Sequence, residues 1–225
     1  MTTVLPTQSN AAPPSPEHRS TWPAVVARLC AAVVCAALVL VLHQLFVATG
    51  PGQQWDESFA LSVNGSDGPL SRLGLFFLRE VSPLVLLGAL VVAVLVALAR
   101  RRAREAVGAV LLMLVANVST QVLKHFLLDR PDLGVTYDLA NSFPSGHTTA
   151  ATTVLAVLVL AAPRGWRPVV LAVGGLYPVL CGWGTLVDGW HRPSDVLAAF
   201  AVVATWYFLV RAVLLWSHPE PEAQR

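Results

Sequence analysis

Long stretches of apolar residues alternate with short polar breaks along this chain. The runs Ala24–Ala48, Pro83–Ala99, Ala106–Leu127, Thr148–Ala162, Val169–Val187 and Val196–Trp216 are each near the length that spans about 30 Å of hydrocarbon. They predict six transmembrane helices. The fourth run is short, but Ser145 and Gly146 are placed to open the same helix. Between the first two spans, Gly50–Ser82 mixes Trp55, Phe59, Leu61, Leu70, Leu73, Phe76 and Phe77 with charges around an Asn64-Gly65-Ser66-Asp67-Gly68 turn. That pattern predicts two short amphipathic helices at the membrane interface. The expected domain plan is a disordered cytoplasmic tail over 1–22, rich in Pro, Ser and Thr, a six-helix transmembrane domain over 23–217 and a cytoplasmic tail over 218–225.

Composition agrees, since 55% of the 225 residues are hydrophobic and 12% are charged. An ordinary soluble domain carries about 25% charged residues, so too little polar surface is available to cover a soluble globule. The net charge of +2 is small and the 15 cationic side chains are scattered, which excludes a nucleic-acid partner. Cys30, Cys35 and Cys181 lie inside apolar runs without paired spacing and read as packing residues.

An even number of spans puts both termini on one side. The short loops of that side hold Arg100, Arg101, Arg102, Arg104, Arg164 and Arg167, with Arg19, Arg28 and Arg225 nearby, so it is expected to be cytoplasmic. The other side carries Asp56, Glu57, Asp67, Glu80, Asp129, Asp132, Asp138, Asp188 and Asp195 against Arg72, Arg79, Lys124, Arg130 and Arg192. It is expected to face outward, in the plasma membrane.

Three polar clusters fall on that outward side. Lys124, the only lysine, closes the third span ahead of Asp129-Arg130-Pro131. Alone, this cluster reads as snorkelling anchorage plus a loop ion pair. Pro144-Ser145-Gly146-His147 opens the fourth span, where Ser145 as cap and Gly146 for close approach make a helix N-terminus suited to an anion, or simply a capped helix. His191-Arg192-Pro193-Ser194-Asp195 opens the sixth, and Asp195 is four residues from His191, within reach of one imidazole nitrogen. The stripe Asn117, Thr120, Gln121 and Lys124 shares one face of the third span and suits either interhelical hydrogen bonding or a functional lining. Gly174, Gly175, Gly182 and Gly184 read as sites of close helix packing. Two histidines, an aspartate, a lysine, an arginine and a helix N-terminus at one level suit phosphoryl transfer, which needs donors for the equatorial oxygens, a nucleophile and an acid.

The ordered set Lys124…Arg130-Pro131, Pro144-Ser145-Gly146-His147 and His191…Asp195 resembles the type 2 phosphatidic acid phosphatase family, over roughly residues 55–216. The resemblance implies a lipid phosphate phosphatase without metal or other cofactor, acting on phosphatidate or a polyprenyl diphosphate at the outer leaflet, with the active site at the outward ends of the last four helices. It implies that His191 attacks phosphorus to give a phosphohistidine, that Asp195 orients it and that His147 protonates the leaving group. Lys124, Arg130, Ser145 and Gly146 would hold the phosphoryl oxygens. The family's first motif has six residues between its lysine and Arg-Pro, against five here. Its third motif carries Ser-Arg where this chain has Gly184 and Thr185. Arg192 is the nearest cation to take the place of that arginine. The expected partners are the lipid phosphate substrate and membrane lipids, with the oligomeric state open. A phosphotransferase using the same residues and a weakly catalytic lipid-binding or transport relative are the alternatives.

Overall fold

The computed structural model of the chain describes residues 21–135 and 140–216, so the terminal segments on which the two tail assignments rest, and Asp138, lie outside the described residues. Within that range the protein is all helical: α1 (Trp22–Leu42), α2 (Gly50–Val63), α3 (Pro69–Arg79), α4 (Pro83–Ala99), α5 (Ala103–Val122), α6 (Gly146–Ala161), α7 (Arg167–Gly174), α8 (Leu176–Val187) and α9 (Pro193–Trp216). Proline stands in the first turn of α1, α2, α3, α4 and α7, where its missing N–H has no intrahelical acceptor to lose. Thr49 caps α2 and Ser82 caps α4 through side-chain oxygens.

The six apolar runs reappear as α1, α4, α5, α6, the α7–α8 pair and α9. Among the described residues, four helical stretches have the length and hydropathy to cross a membrane: Trp22–Val47, Ala103–Leu127, Arg164–Val187 and Pro193–Trp216. A fifth passes when α3 and α4, bent by 77° at their junction, are taken together, and α6 is a shorter apolar helix of 16 residues. Many large side chains point outward, including Val33, Leu84, Val173 and Val213 at 62–77% exposure. Lipid is the solvent that such faces require. The chain is a multi-pass membrane protein.

Inside, Ala93, Ala109, Ala116, Ala156 and Ala161 pack with Leu112, Val157, Leu160 and Val203. Small residues bring helix backbones together where no hydrophobic effect drives association. A close crossing joins α3 to α8, where a Cβ on Gly184 would meet the Gly74 carbonyl oxygen at 2.4 Å. The expected packing role of Gly184 is seen there, and Gly182 and Gly174 likewise lie against Val196 and Leu155. The polar stripe of α5 turns to α6, with Asn117 donating to the Thr153 hydroxyl and Thr120 paired with Thr149. Interhelical bonding accounts for those two residues.

The two amphipathic helices expected between the first spans are α2 and α3, joined by a turn with Gly65 at φ 69°. Gln53, Asp56 and Ala60 on α2 are buried, while Trp55 and Phe59 are exposed and stack on one another. The polar stripe faces the protein and the aromatic stripe faces away from it, as expected of a helix at a membrane interface, where indole and phenyl rings are favoured.

At one end of the bundle the arginines find structural work. Arg100 donates to the Ala161 carbonyl and Arg167 to those of Leu160 and Ala162, closing the C-terminus of α6, while Glu105 pairs with Arg102 and Arg167.

Candidate active site

The opposite end gathers the three polar clusters. α5 ends in a π-helical turn, Leu123–Leu127, that carries Lys124; such turns are frequent at functional sites. Asn141 staples this end to the segment before α6 by donating to the carbonyls of Lys124 and Leu128 and accepting from the Phe143 N–H. Ser145 is the N-cap of α6, its hydroxyl accepting from the Thr148 N–H, and its own N–H donates to the Asp195 carbonyl at 3.0 Å. The Gly146 and His147 N–H groups at the first turn have no intrahelical acceptor and point out of the helix start.

His191 Nδ1 lies 3.2 Å from Asp195 Oδ2, which also accepts the Arg192 N–H at 2.9 Å. Asp195 is fully buried and His191 is 7% exposed. The geometry leaves Nε2 as the imidazole nitrogen not committed to Asp195. The His191 and Trp190 N–H groups both donate to the Thr185 carbonyl, and the Thr185 hydroxyl donates to the Gly182 carbonyl. The position where the family motif has arginine is thus occupied by a fully buried threonine that anchors the His191 loop. His147 sits against Trp190, with ring centroids 5.2 Å apart, and within electrostatic range of His191 and Lys124.

Arg130 is the most informative side chain. It is 7% exposed, and its Nε and both terminal nitrogens are buried without a hydrogen-bond partner among the described residues. Asp195, Asp56, Glu57 and Arg192 all act on it electrostatically, and burial draws the guanidinium below its ordinary range. Five fork-like donors with no acceptor are costly unless an anion occupies the space they face. With five residues in the first motif, Arg130 still comes within electrostatic range of Asp195.

Arg192 is placed differently from a free phosphate donor. Its Nε is bound by Glu57 and one terminal nitrogen donates to the Ser142 hydroxyl at 3.0 Å. A cavity of about 90 Å³ beside it is lined by Glu57, Asn64, Gly189, Trp190, His191 and Arg192.

Four residues that the sequence reading did not single out hold the two loops. His43 Nε2 donates to the Asp129 carbonyl at 2.9 Å, and Gln53 Nε2 donates to the Pro131 carbonyl at 3.0 Å, so both neighbours of Arg130 are pinned. Asp56 accepts the Ser194 N–H at 3.0 Å and its hydroxyl at 2.6 Å, and Glu57 takes Arg192. The signal available in the sequence was the i, i+3 pair Gln53 and Asp56, polar residues on one face of a helix otherwise rich in aromatics.

A family model described as the PAP2 superfamily matches residues 105–218. Among solved structures, the chain is similar to one described as the first transmembrane PAP2-type phosphatidylglycerolphosphate phosphatase, from Bacillus subtilis, at TM-score 0.69 and 22% identity over 85% of this chain and 99% of that chain. No curated protein sequence matches this chain.

Proposed function

Since the chain belongs to the PAP2 superfamily, we propose that it is an integral-membrane phosphatase that hydrolyses a lipid phosphate through a phosphohistidine on His191, without a metal. The observation that carries this reading is Arg130, whose buried guanidinium has no acceptor among the described residues and is within electrostatic range of Asp195, the partner of His191. A phosphoryl group supplies the missing acceptors.

In the proposed cycle, neutral His191 attacks phosphorus through Nε2 while Asp195 holds Nδ1–H. The bond from phosphorus to the leaving oxygen breaks, and protonated His147 gives that oxygen its proton. Water then attacks the phosphohistidine, neutral His147 takes the water's proton, and the phosphorus–nitrogen bond breaks to release inorganic phosphate and regenerate His191. Arg130, Lys124 and the exposed N–H groups of Gly146 and His147 bind the equatorial oxygens, whose charge grows in the transition state. Ser145 shapes that N-terminus through its cap. Arg192, held by Glu57, adds positive charge next to the nucleophile and stands in part for the arginine absent at Thr185.

All six apolar helices are read as crossing the membrane, with the arginine-rich end cytoplasmic by the positive-inside rule and the site at the outer leaflet of the plasma membrane. There the lipid tail stays in the bilayer while its headgroup reaches the helix ends. Phosphatidate and a polyprenyl diphosphate are the proposed substrates. Phosphatidylglycerolphosphate, named for the structural neighbour, joins them in the test.

The experiment is phosphate release by the detergent-purified full chain from each of these three lipids in excess EDTA, beside His191→Ala. Release that survives chelation and disappears in the variant supports the reading. No release from folded wild type shifts the assignment to transfer onto another hydroxyl acceptor or to lipid binding without turnover.

A further inference from the structure

The helix α2 precedes the region that the family model matches, yet it touches both loops that build the site. Its buried stripe holds the Arg130 loop through Gln53, assisted by His43 at the end of α1, and holds the nucleophile loop through Asp56 and Glu57. Asp56 is fully buried, and its two carboxylate oxygens take both donors of Ser194, the residue immediately ahead of Asp195. The carboxylate therefore caps the start of α9 from outside that helix, in the polarity that a helix N-terminus favours. Gln53 Nε2 donates at once to the Val47 and Pro131 carbonyls, so α2 cannot shift along its axis without releasing the Arg130 loop. The start of α2 is equally constrained, because a Cβ on Gly52 would stand 1.8 Å from the Leu45 carbonyl oxygen.

We propose that α2 is a clamp that sets the separation between the phosphate-binding Arg130 and the nucleophile His191, with Asp56 and Gln53 as its positioning residues. The proposal rests on the phosphatase reading above. Neither side chain touches substrate. Each acts through the backbone of a loop, and an ångström of slack between donor and nucleophile costs on the order of 10²-fold in rate.

The test uses the full-length purified protein with Asp56→Ala, Asp56→Asn, Gln53→Ala, Ser194→Ala and the Asp56→Ala/Ser194→Ala pair, with Ser58→Ala on the exposed face of α2 as control. Asp56→Ala is expected to lower kcat by about 10²-fold with KM little changed. Asp56→Asn, which keeps one acceptor for Ser194, is expected to recover part of the loss, and Ser58→Ala to match wild type. The paired variant is expected to be no worse than Asp56→Ala alone, since the two side chains act as one contact. A wild-type kcat in folded Asp56→Ala or Gln53→Ala overturns the clamp. So does a loss that follows melting temperature alone and is not relieved in Asp56→Asn. Should wild type release no phosphate, the phosphatase reading has failed by itself, and the clamp is judged by orthovanadate affinity. A weakening by about tenfold in Asp56→Ala supports it, and unchanged affinity overturns it.

Discussion

The Ser145 N–H donates to the Asp195 carbonyl at 3.0 Å, joining the first residue before α6 to the first turn of α9. One backbone bond thereby fixes the helix that carries His147 against the helix that carries Asp195. His191 is in turn bound to Asp195 through Nδ1, so the proposed acid and the proposed nucleophile belong to one rigid unit. The remaining variable in the site is the position of Arg130, which arrives on a separate loop.

Arg130→Met is expected to separate function from stability. Removing its donors costs about 10²–10³ in phosphate release, while the fold loses no hydrogen bond to a described residue. Inorganic phosphate should raise the melting temperature of wild type and not of the variant. Thermal melts with and without phosphate check both points, and an equal phosphate shift in the two proteins contradicts the assignment of Arg130.

Burial pushes the Asp56 carboxyl up to about 6, against the lowering effect of its Ser194 hydrogen bonds. In the unfolded chain the group returns to about 3.9. The folded state thus binds more protons between those values, and stability from this group is present below the lower value and lost as pH rises through about 6. The melting temperature of wild type minus that of Asp56→Asn should fall from pH 4 to about pH 6.5 and then level. A constant difference across that range contradicts the environment described for Asp56.

Restoring the family's serine at position 184 should harm this protein. Any Cβ there meets the Gly74 carbonyl at 2.4 Å, so α3 must move off α8. Gly184→Ser is expected to destabilise by about 1–3 kcal/mol, as overpacking does. Unfolding of the purified variant checks this, and wild-type stability contradicts the close crossing.

Much of the architecture is legible in the sequence because membrane helices announce themselves by length and apolarity, and the motif residues Lys124, Arg130, His147, His191 and Asp195 fall at helix ends where polar groups stand out. What stayed hidden was what the polar face of α2 holds. Amphipathicity shows that an interfacial helix has an apolar and a polar face, but not which loops the polar face meets. Trp55 and Phe59 turn away from the protein, while Gln53 and Asp56 turn inward onto the Arg130 and His191 loops. Partners far apart in sequence were equally invisible: Glu57 lies 135 residues from Arg192, and nothing local in either segment marks the pair. The absence of the Ser-Arg pair at Gly184 and Thr185 reads as a missing donor in the sequence, whereas in the fold it accompanies the close approach of α3 and the anchoring of the His191 loop on the Thr185 carbonyl.

The most direct test of the central claim is to trap the covalent intermediate. Wild type and His191→Ala are mixed with a lipid phosphate carrying a radioactive terminal phosphoryl group, quenched in alkali within the first turnovers and measured for protein-bound label. A phosphoryl–nitrogen bond to His191 predicts label on wild type that is stable to alkali, released by acid and absent from His191→Ala. Full phosphate release by His191→Ala, or equal label on both proteins, contradicts it.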